Sequence, residues 1–305
     1  MIRTPTVLIL GAGASAPYGY PLGDVLVQRI VEISGRGGLL YQDLGWSEDL
    51  ERFQTRLHGS EVASIDDFLA SNPKFAELGK IGIVAALTLL GPHQDHVVDR
   101  SHNWYQYIWR RLYEGAPTAK SFRENRLRII TYNYERSFER YLTRVLANVY
   151  PELVDTDNSR AEKLVSDTVP VLHLHGTLGD FERVAVESQD RTHLRSGLRY
   201  KETARGIRIV HEDEAGQDYA VAHSWLRDAE AVHLLGFGFH ETNVRRLALA
   251  TQVSVRGARW PEFGGTCLGM KSAEITRAIA SLDVGSAYIY PMDSLEYLRT
   301  HALLR

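Results

Sequence analysis

Four short stretches of this chain combine glycine, asparagine and histidine in an order suited to chemistry on a dinucleotide. The first, Gly11-Ala12-Gly13-Ala14-Ser15-Ala16, matches G-x-G-x-x-G/A with Ala16 in the last place. In that pattern the first glycine permits a tight turn, the second admits a pyrophosphate to the backbone, and the small third residue lets helix pack on strand. The second stretch, Ile129-Ile130-Thr131-Tyr132-Asn133-Tyr134-Glu135, is an apolar run that ends in polar residues. Asn133 offers both donor and acceptor and can hold a ribose hydroxyl and a water together; taken alone it reads more readily as a helix N-cap. The third is Val171-Leu172-His173-Leu174-His175-Gly176. On a strand His173 and His175 share one face, and His175 stands where the chain turns at glycine, so it is the candidate reactive base. His173 reads as a core imidazole that orients it. A metal reading of the pair lacks a third ligand, and the looser set His93, Asp95, His96 and His102 reads as solvated surface. The fourth stretch, Leu234 to Asn243, carries Gly236 and Gly238, which permit close approach of a cofactor. Asn243 can reach an adenosine half or serve as a helix cap; the residues alone do not decide between these.

Placing these groups together requires strands that end side by side. Runs rich in β-formers recur at Thr6–Leu10, Leu127–Thr131, Pro170–Leu174, Ala231–Leu235, Thr266–Gly269 and Ala287–Tyr290, with helical stretches between them. Several are apolar on both faces, as parallel strands covered by helices are. Helices are expected from Ala16 to about Ile33, Tyr134 to Val149, Gln217 to Asp228, Glu241 to Ala250, Ala273 to Leu282 and Leu295 to Leu304, the last opened by Asp293 and Glu296 in capping-box spacing. The expected fold is α/β, a Rossmann-like, doubly wound, mostly parallel sheet. A helical insert at about residues 34–125 interrupts it, with helices near Ser64–Ser71, Phe75–Leu90 and Asn103–Glu114. A charged, irregular stretch from His175 to Ile207 is expected over the C-terminal edge of the sheet, as a lid.

The 305 residues are 44% hydrophobic and 24% charged, enough to bury a large core. A formal charge of −3 supplies no general basic field for a polyanion, so nucleic acid is not an implied direct ligand. A single cysteine, Cys267, leaves no disulfide and no four-cysteine zinc site and suits a reducing compartment; in TCLGM it reads as core. Arg3, the apolar Val7–Leu10 and Ala14-Ser15-Ala16 imitate a secretory signal, but cleavage after Ala16 would destroy the glycine loop, so a cytoplasmic address is expected. The apolar Ile81–Leu90 is too short to span a membrane and reads as a buried helix.

Taken in order, GAGASAPYGYPLG, SIDDFL, TYNYERSFERYL, HLHGTLG and LGFGFHETN resemble the sirtuin-like family in its bacterial defence branch, whose members hydrolyse NAD during phage infection. The resemblance implies that Gly11, Ala12, Gly13, Ala14 and Ser15 form the phosphate loop. It makes Asn133 and His175 the essential asparagine and histidine, and Gly236, Gly238 and Asn243 the second nucleotide loop. It also implies a homo-oligomer, sometimes working beside a HerA-type ATPase. The protein deacylases of the superfamily carry four zinc cysteines and an aromatic–arginine pair; here Gly19-Tyr20-Pro21 is followed by Leu22-Gly23-Asp24, so deacylation is not expected. Glu135 and Glu241 stand where aspartates are commoner. The expected activity is cleavage of the nicotinamide–ribose bond of NAD, with NAD as substrate and no metal. Two other readings compete: an NAD(P)-dependent oxidoreductase, and a non-catalytic nucleotide-sensing subunit of an oligomeric complex.

Overall fold

A computed structural model describes residues 1–45, 47–89, 100–179, 197–209, 216–252, 262–284, 288–302 and 304–305. Six parallel strands form one sheet: β1 (Thr6–Leu10), β2 (Leu127–Thr131), β3 (Val171–His173), β4 (Ala231–Leu235), β5 (Glu262–Thr266) and β6 (Tyr288–Tyr290). Their order is β3-β2-β1-β4-β5-β6, which is the Rossmann-like, doubly wound arrangement. The order reverses between β1 and β4, and the crevice at such a switch point is where open α/β sheets bind ligands.

Alternation along the central strands divides the core in two. Leu8 and Leu10 of β1 join Leu127 and Ile129 of β2 on one face, against Ile30, Phe53, Phe68 and Leu142. Val7 and Ile9 join Ile130 and Leu234 on the other, against Tyr219, Leu226 and Val244. The helices between β1 and β2 therefore cover the first face. Within them Phe53, Phe68 and Phe75 pack ring against ring, with centroids 5.7 to 6.1 Å apart. Truncating one such buried ring to alanine costs about 3–5 kcal/mol.

Several boundaries differ from the sequence expectation. The helix expected from Ala16 to Ile33 is broken: one turn at Ala12–Ser15 runs into a 3-10 turn at Ala16–Tyr18, and a second helix begins at Gly23 and ends at Ser34. Gly19 caps the first piece at φ +88°, a left-handed conformation that favours glycine. β5 lies four residues earlier than Thr266–Gly269, so Thr266 is its last residue, not its first. β3 is shorter than expected, at Val171–His173, and the helix after β2 starts at Ser137 rather than Tyr134. The helix after β4 stops at Leu247, because Ala248 turns left-handed at φ +49° before a short turn at Leu249–Gln252. The final helix spans Ser294–Thr300, and the Asp293 carboxylate accepts from the amides of Leu295 and Glu296 as its cap.

The segment near residues 34–125 holds helices that the periodicity did not single out, at Leu39–Leu44, Glu48–Gly59 and Ala119–Phe122. His102 is no free surface group: it is half-buried and pairs with Asp293 at 2.9 Å. His93, Asp95 and His96 lie outside the described residues. The stretch from His175 to Ile207 is not wholly irregular, since Gly197–Ala204 is helical. That helix packs against Ala76–Leu89 and Leu39–Leu44, with Tyr200 OH donating to Asp43 at 3.2 Å. Residues 180–196, which include the rest of the expected lid, lie outside the description.

Candidate active site

The four stretches meet at the C-terminal edge of the sheet, in a row of hydrogen-bonded loops. Register places Leu10, Thr131 and Leu235 side by side at the ends of β1, β2 and β4, so the residues that follow emerge together. The Gly11 amide donates to Leu235 O and the Gly13 amide to Gly236 O, each at 3.0 Å. Gly236 in turn donates to Thr266 Oγ1 at 2.8 Å, tying in the end of β5. A Cβ on Gly11 would stand 2.5 Å from Gly236 O, and one on Gly236 would stand 2.0 Å from Ala14 N. These glycines are thus demanded by the contact between two loops. Gly238 is different: among the described residues nothing lies within 4 Å of a Cβ built there.

This changes the role expected of the first glycine loop. A one-turn helix sums few peptide dipoles, and its amides at Gly13 and Ala14 already donate to Gly236 O and Gly11 O. Ala14 is fully buried, its carbonyl accepting from Trp104 Nε1 at 2.7 Å. Ala12 and Gly13 remain at the wall of a 1330 Å³ cavity that continues past Gly236 and Gly238 to Thr266, Cys267 and Asp293. Cys267 is buried, as expected, and its thiol pKa is raised by burial. Arg245 and Arg277 stand at the same wall.

Asn133 and His175 lie on the other side of β1, at the ends of β2 and β3, and do not line that cavity. Asn133 is 8% exposed, and its amide NH₂ faces inward. It donates to Ser15 Oγ at 2.9 Å, Gly11 O at 3.2 Å and Glu135 Oε1 at 3.4 Å. Asn133 is therefore not a helix cap. Ser15 Oγ donates to Glu135 Oε1, while Glu135 Oε2 accepts from the amide of Ser137 at 2.7 Å and from its hydroxyl. Ser15 is thus turned away from the cavity, and Glu135 is the acidic hub that joins the β1 and β2 loops. Nothing in the spacing of TYNYERS separates that role from a surface glutamate; only the folded contact reveals it.

The two histidines differ sharply. His173 Nδ1 meets Asn133 O at 2.9 Å and Nε2 meets Glu139 Oε1 at 3.0 Å, so both nitrogens face acceptors. Burial alone would depress the imidazole, but the Glu139 carboxylate offsets this and its pKa is raised. Burial pushes Glu139 upward, and His173 and Arg136 reverse that, holding it below the usual carboxylate range. His173 is accordingly held between Glu139 and the backbone of Asn133, which it fixes. His175 is 4% exposed, with its ring edge-on to Tyr132 at 5.2 Å and tilted to Tyr134 at 6.0 Å. These two tyrosines flank Asn133 in sequence, so His175 packs on the backbone segment that carries Asn133. The His175 carbonyl accepts from the Arg208 amide at 2.8 Å, anchoring the strand end.

Asn243 sits apart from both. Its carbonyl accepts from Tyr132 OH at 3.2 Å, and its Oδ1 is buried with no hydrogen-bond partner among the described residues. Asp66, which lay unremarked inside SIDDFL, comes to 3.9 Å from His175 Nδ1. Among the described residues no group of three or more His, Cys, Asp or Glu is arranged to hold a metal ion, and no helix is long and apolar enough to cross a membrane. No protein-family model and no curated protein sequence matches the chain.

Proposed function

We propose that this chain hydrolyses NAD at the nicotinamide–ribose bond, giving nicotinamide and ADP-ribose. One observation carries the reading: a large cavity beside the switch point lies across β1 from a buried asparagine and a buried histidine, each just past the end of one of the two neighbouring strands. On this reading one dinucleotide spans both. Its adenosine half would take the cavity between the β1, β4 and β5 loops, and its nicotinamide riboside the β2–β3 side.

Nicotinamide departs as a neutral molecule from a pyridinium, so the leaving nitrogen needs no general acid, unlike the usual glycosidase pair. The protein's task is to hold the ribose, tolerate positive charge at the anomeric carbon and supply water. Asn133 holds the ribose and water through its amide, whose position the bonds to Ser15, Gly11 and Glu135 fix. Carboxylates at Glu135 and Asp66 favour the positive charge that develops nearby. His175 accepts the proton of the attacking water or of a ribose hydroxyl. His173, with both nitrogens committed, is not that base.

The resemblance to defence enzymes suggests a setting: depletion of NAD during phage infection, in the cytoplasm, by a homo-oligomer that works beside a HerA-type ATPase. Incubating the full chain with NAD, with and without such a partner, and separating the products by chromatography tests the chemistry. Free nicotinamide and ADP-ribose in equal amounts support it. Reduced cofactor without nicotinamide would support an oxidoreductase, and binding without any product a sensing subunit.

A further inference from the structure

The Ile65–Ser71 helix sets two consecutive aspartates against two different strand-end loops. Asp66 Oδ2 stands 3.9 Å from His175 Nδ1, while its Oδ1 accepts from Tyr134 OH at 3.1 Å. Asp67 lies 2.9 Å from Nε2 of His240, in the loop after β4. We propose that Asp66 is the positioning partner of His175, the carboxylate that selects its Nδ1–H tautomer and leaves Nε2 as the base. The chemistry assigned to that base rests on the NAD reading; the pairing itself does not.

Four observations support the assignment. An acidic residue in a first helical turn is ordinarily explained by the helix dipole, but here Ser64 Oγ already caps the helix by accepting from the Asp66 amide at 3.2 Å. The Asp66 carboxylate instead faces the sheet, with a side chain only 18% exposed against a His175 side chain 5% exposed. In such a setting a carboxylate acts on an imidazole more strongly than across open water. Tyr134 ties the two together, since its ring packs on His175 and its hydroxyl donates to Asp66. Burial first and Asp66 second raise the Tyr134 pKa, which keeps the hydroxyl a donor. Finally, the neighbouring His173 cannot serve, because Glu139 and Asn133 O occupy both its nitrogens. A separation of 3.9 Å exceeds a hydrogen bond; contacts of catalytic groups are often long before substrate binds and tighten in the complex.

The test uses the full-length chain and its Asp66→Asn, Asp66→Glu, Tyr134→Phe and Asp67→Asn variants. With NAD as substrate, Asp66→Asn is expected to lower kcat by about 10²- to 10⁴-fold, the range that general-base assistance supplies, while KM moves less. Asp66→Glu should recover part of the loss, and Asp67→Asn should leave kcat nearer wild type. A purely structural role would not distinguish Asn from Glu in this way. A second readout needs no turnover: ¹⁵N shifts of the His175 ring, recorded with labelled histidine, report which nitrogen carries the proton. Wild type should show Nδ1–H, and Asp66→Asn a mixture or the reverse. Should Asp66→Asn fail to fold, Tyr134→Phe loosens the same carboxylate and must shift the tautomer in the same sense. Unchanged kcat with an unchanged tautomer overturns the proposal. If wild type releases no nicotinamide under any condition, the hydrolase reading fails, and the ring shifts still decide the Asp66–His175 pairing.

Discussion

The amide of Gly13 donates to the carbonyl of Gly236 at 3.0 Å, and that bond makes the two glycine-rich loops a single unit. Whatever ligand the crevice takes, the loops must first fit each other. Three of the four glycines of these loops, Gly13, Gly236 and Gly238, consequently fall into two classes on substitution.

Gly236 is held at φ +56° with Ala14 N only 2.0 Å from a Cβ that alanine would add. Gly236→Ala is expected to cost more than about 2 kcal/mol, since overpacking and the left-handed backbone add, and Gly13→Val should behave alike because its Cβ would meet the Gly236 Cα at 2.9 Å. Both defects should appear in thermal melts without any ligand. Gly238→Ala has open space and should stay within about 0.5 kcal/mol of wild type. Equal melting of all three variants would contradict the interlocked loops.

Asn133→Ala and His175→Ala are expected to fold and to lower NAD turnover by about 10²- to 10⁴-fold. Affinity for NAD should fall much less, since the cavity lining lies elsewhere. Isothermal titration beside product chromatography separates the two effects. Wild-type turnover by His175→Ala would remove it from the mechanism.

His173→Ala should fail for another reason. It leaves Glu139 buried without its facing imidazole, and breaking a buried pair from one side costs about 3–5 kcal/mol. The pH dependence follows from both shifts. The raised His173 contributes stability that is present below the unfolded histidine value and is lost as pH rises through its folded value. The lowered Glu139 contributes stability that is present above the ordinary carboxylate value and is lost as pH falls through its own folded value. Denaturant melts across pH should show the His173→Ala penalty shrinking at both ends of the range.

His233, at the centre of β4 and fully buried, has its pKa lowered by burial to about 4. Its Nδ1 bonds Tyr297 OH at 2.9 Å and its Nε2 is 3.8 Å from Glu262. Because the unfolded chain takes up this proton first, stability is whole above about pH 6.5 and falls as pH drops toward 4, by about 3 kcal/mol in all. His233→Gln should flatten that slope in melts between pH 4 and 7. An unchanged slope would place the acid sensitivity elsewhere.

The sequence announced β1, β2, β4 and the Gln217–Asp228 helix to the residue, because their apolar runs are bounded by clear turn residues. It missed the start of β5, which carries Gly264 and Gly265, a residue type that strands disfavour. In the fold a side chain at either would strike Tyr297 OH or Leu234 O, at 2.5 and 2.6 Å, so packing demands the glycines inside a strand. The Glu48–Gly59 helix was in fact signalled, by Ser47 at the cap and Leu50, Phe53 and Leu57 on one face, but its charges disguised the stripe. Asn133 and His175 were legible as strand-end residues. Glu135 and Asp66 were not, because what distinguishes them is a partner remote in sequence, and no local pattern encodes that.

The strand order has a consequence for biosynthesis. β1 is made before the other strands of this sheet, yet it pairs with β2 on one side and with β4 on the other. Its glycine loop therefore waits for Gly236 before it can close. At about 5–20 residues per second the ribosome needs on the order of ten to forty seconds to travel between them. Once the β2 loop has been made and until Gly236 follows, the nascent chain carries every residue of the β1 and β2 loops but not the loop that closes against them, so a chain halted before β4 would lack the crevice.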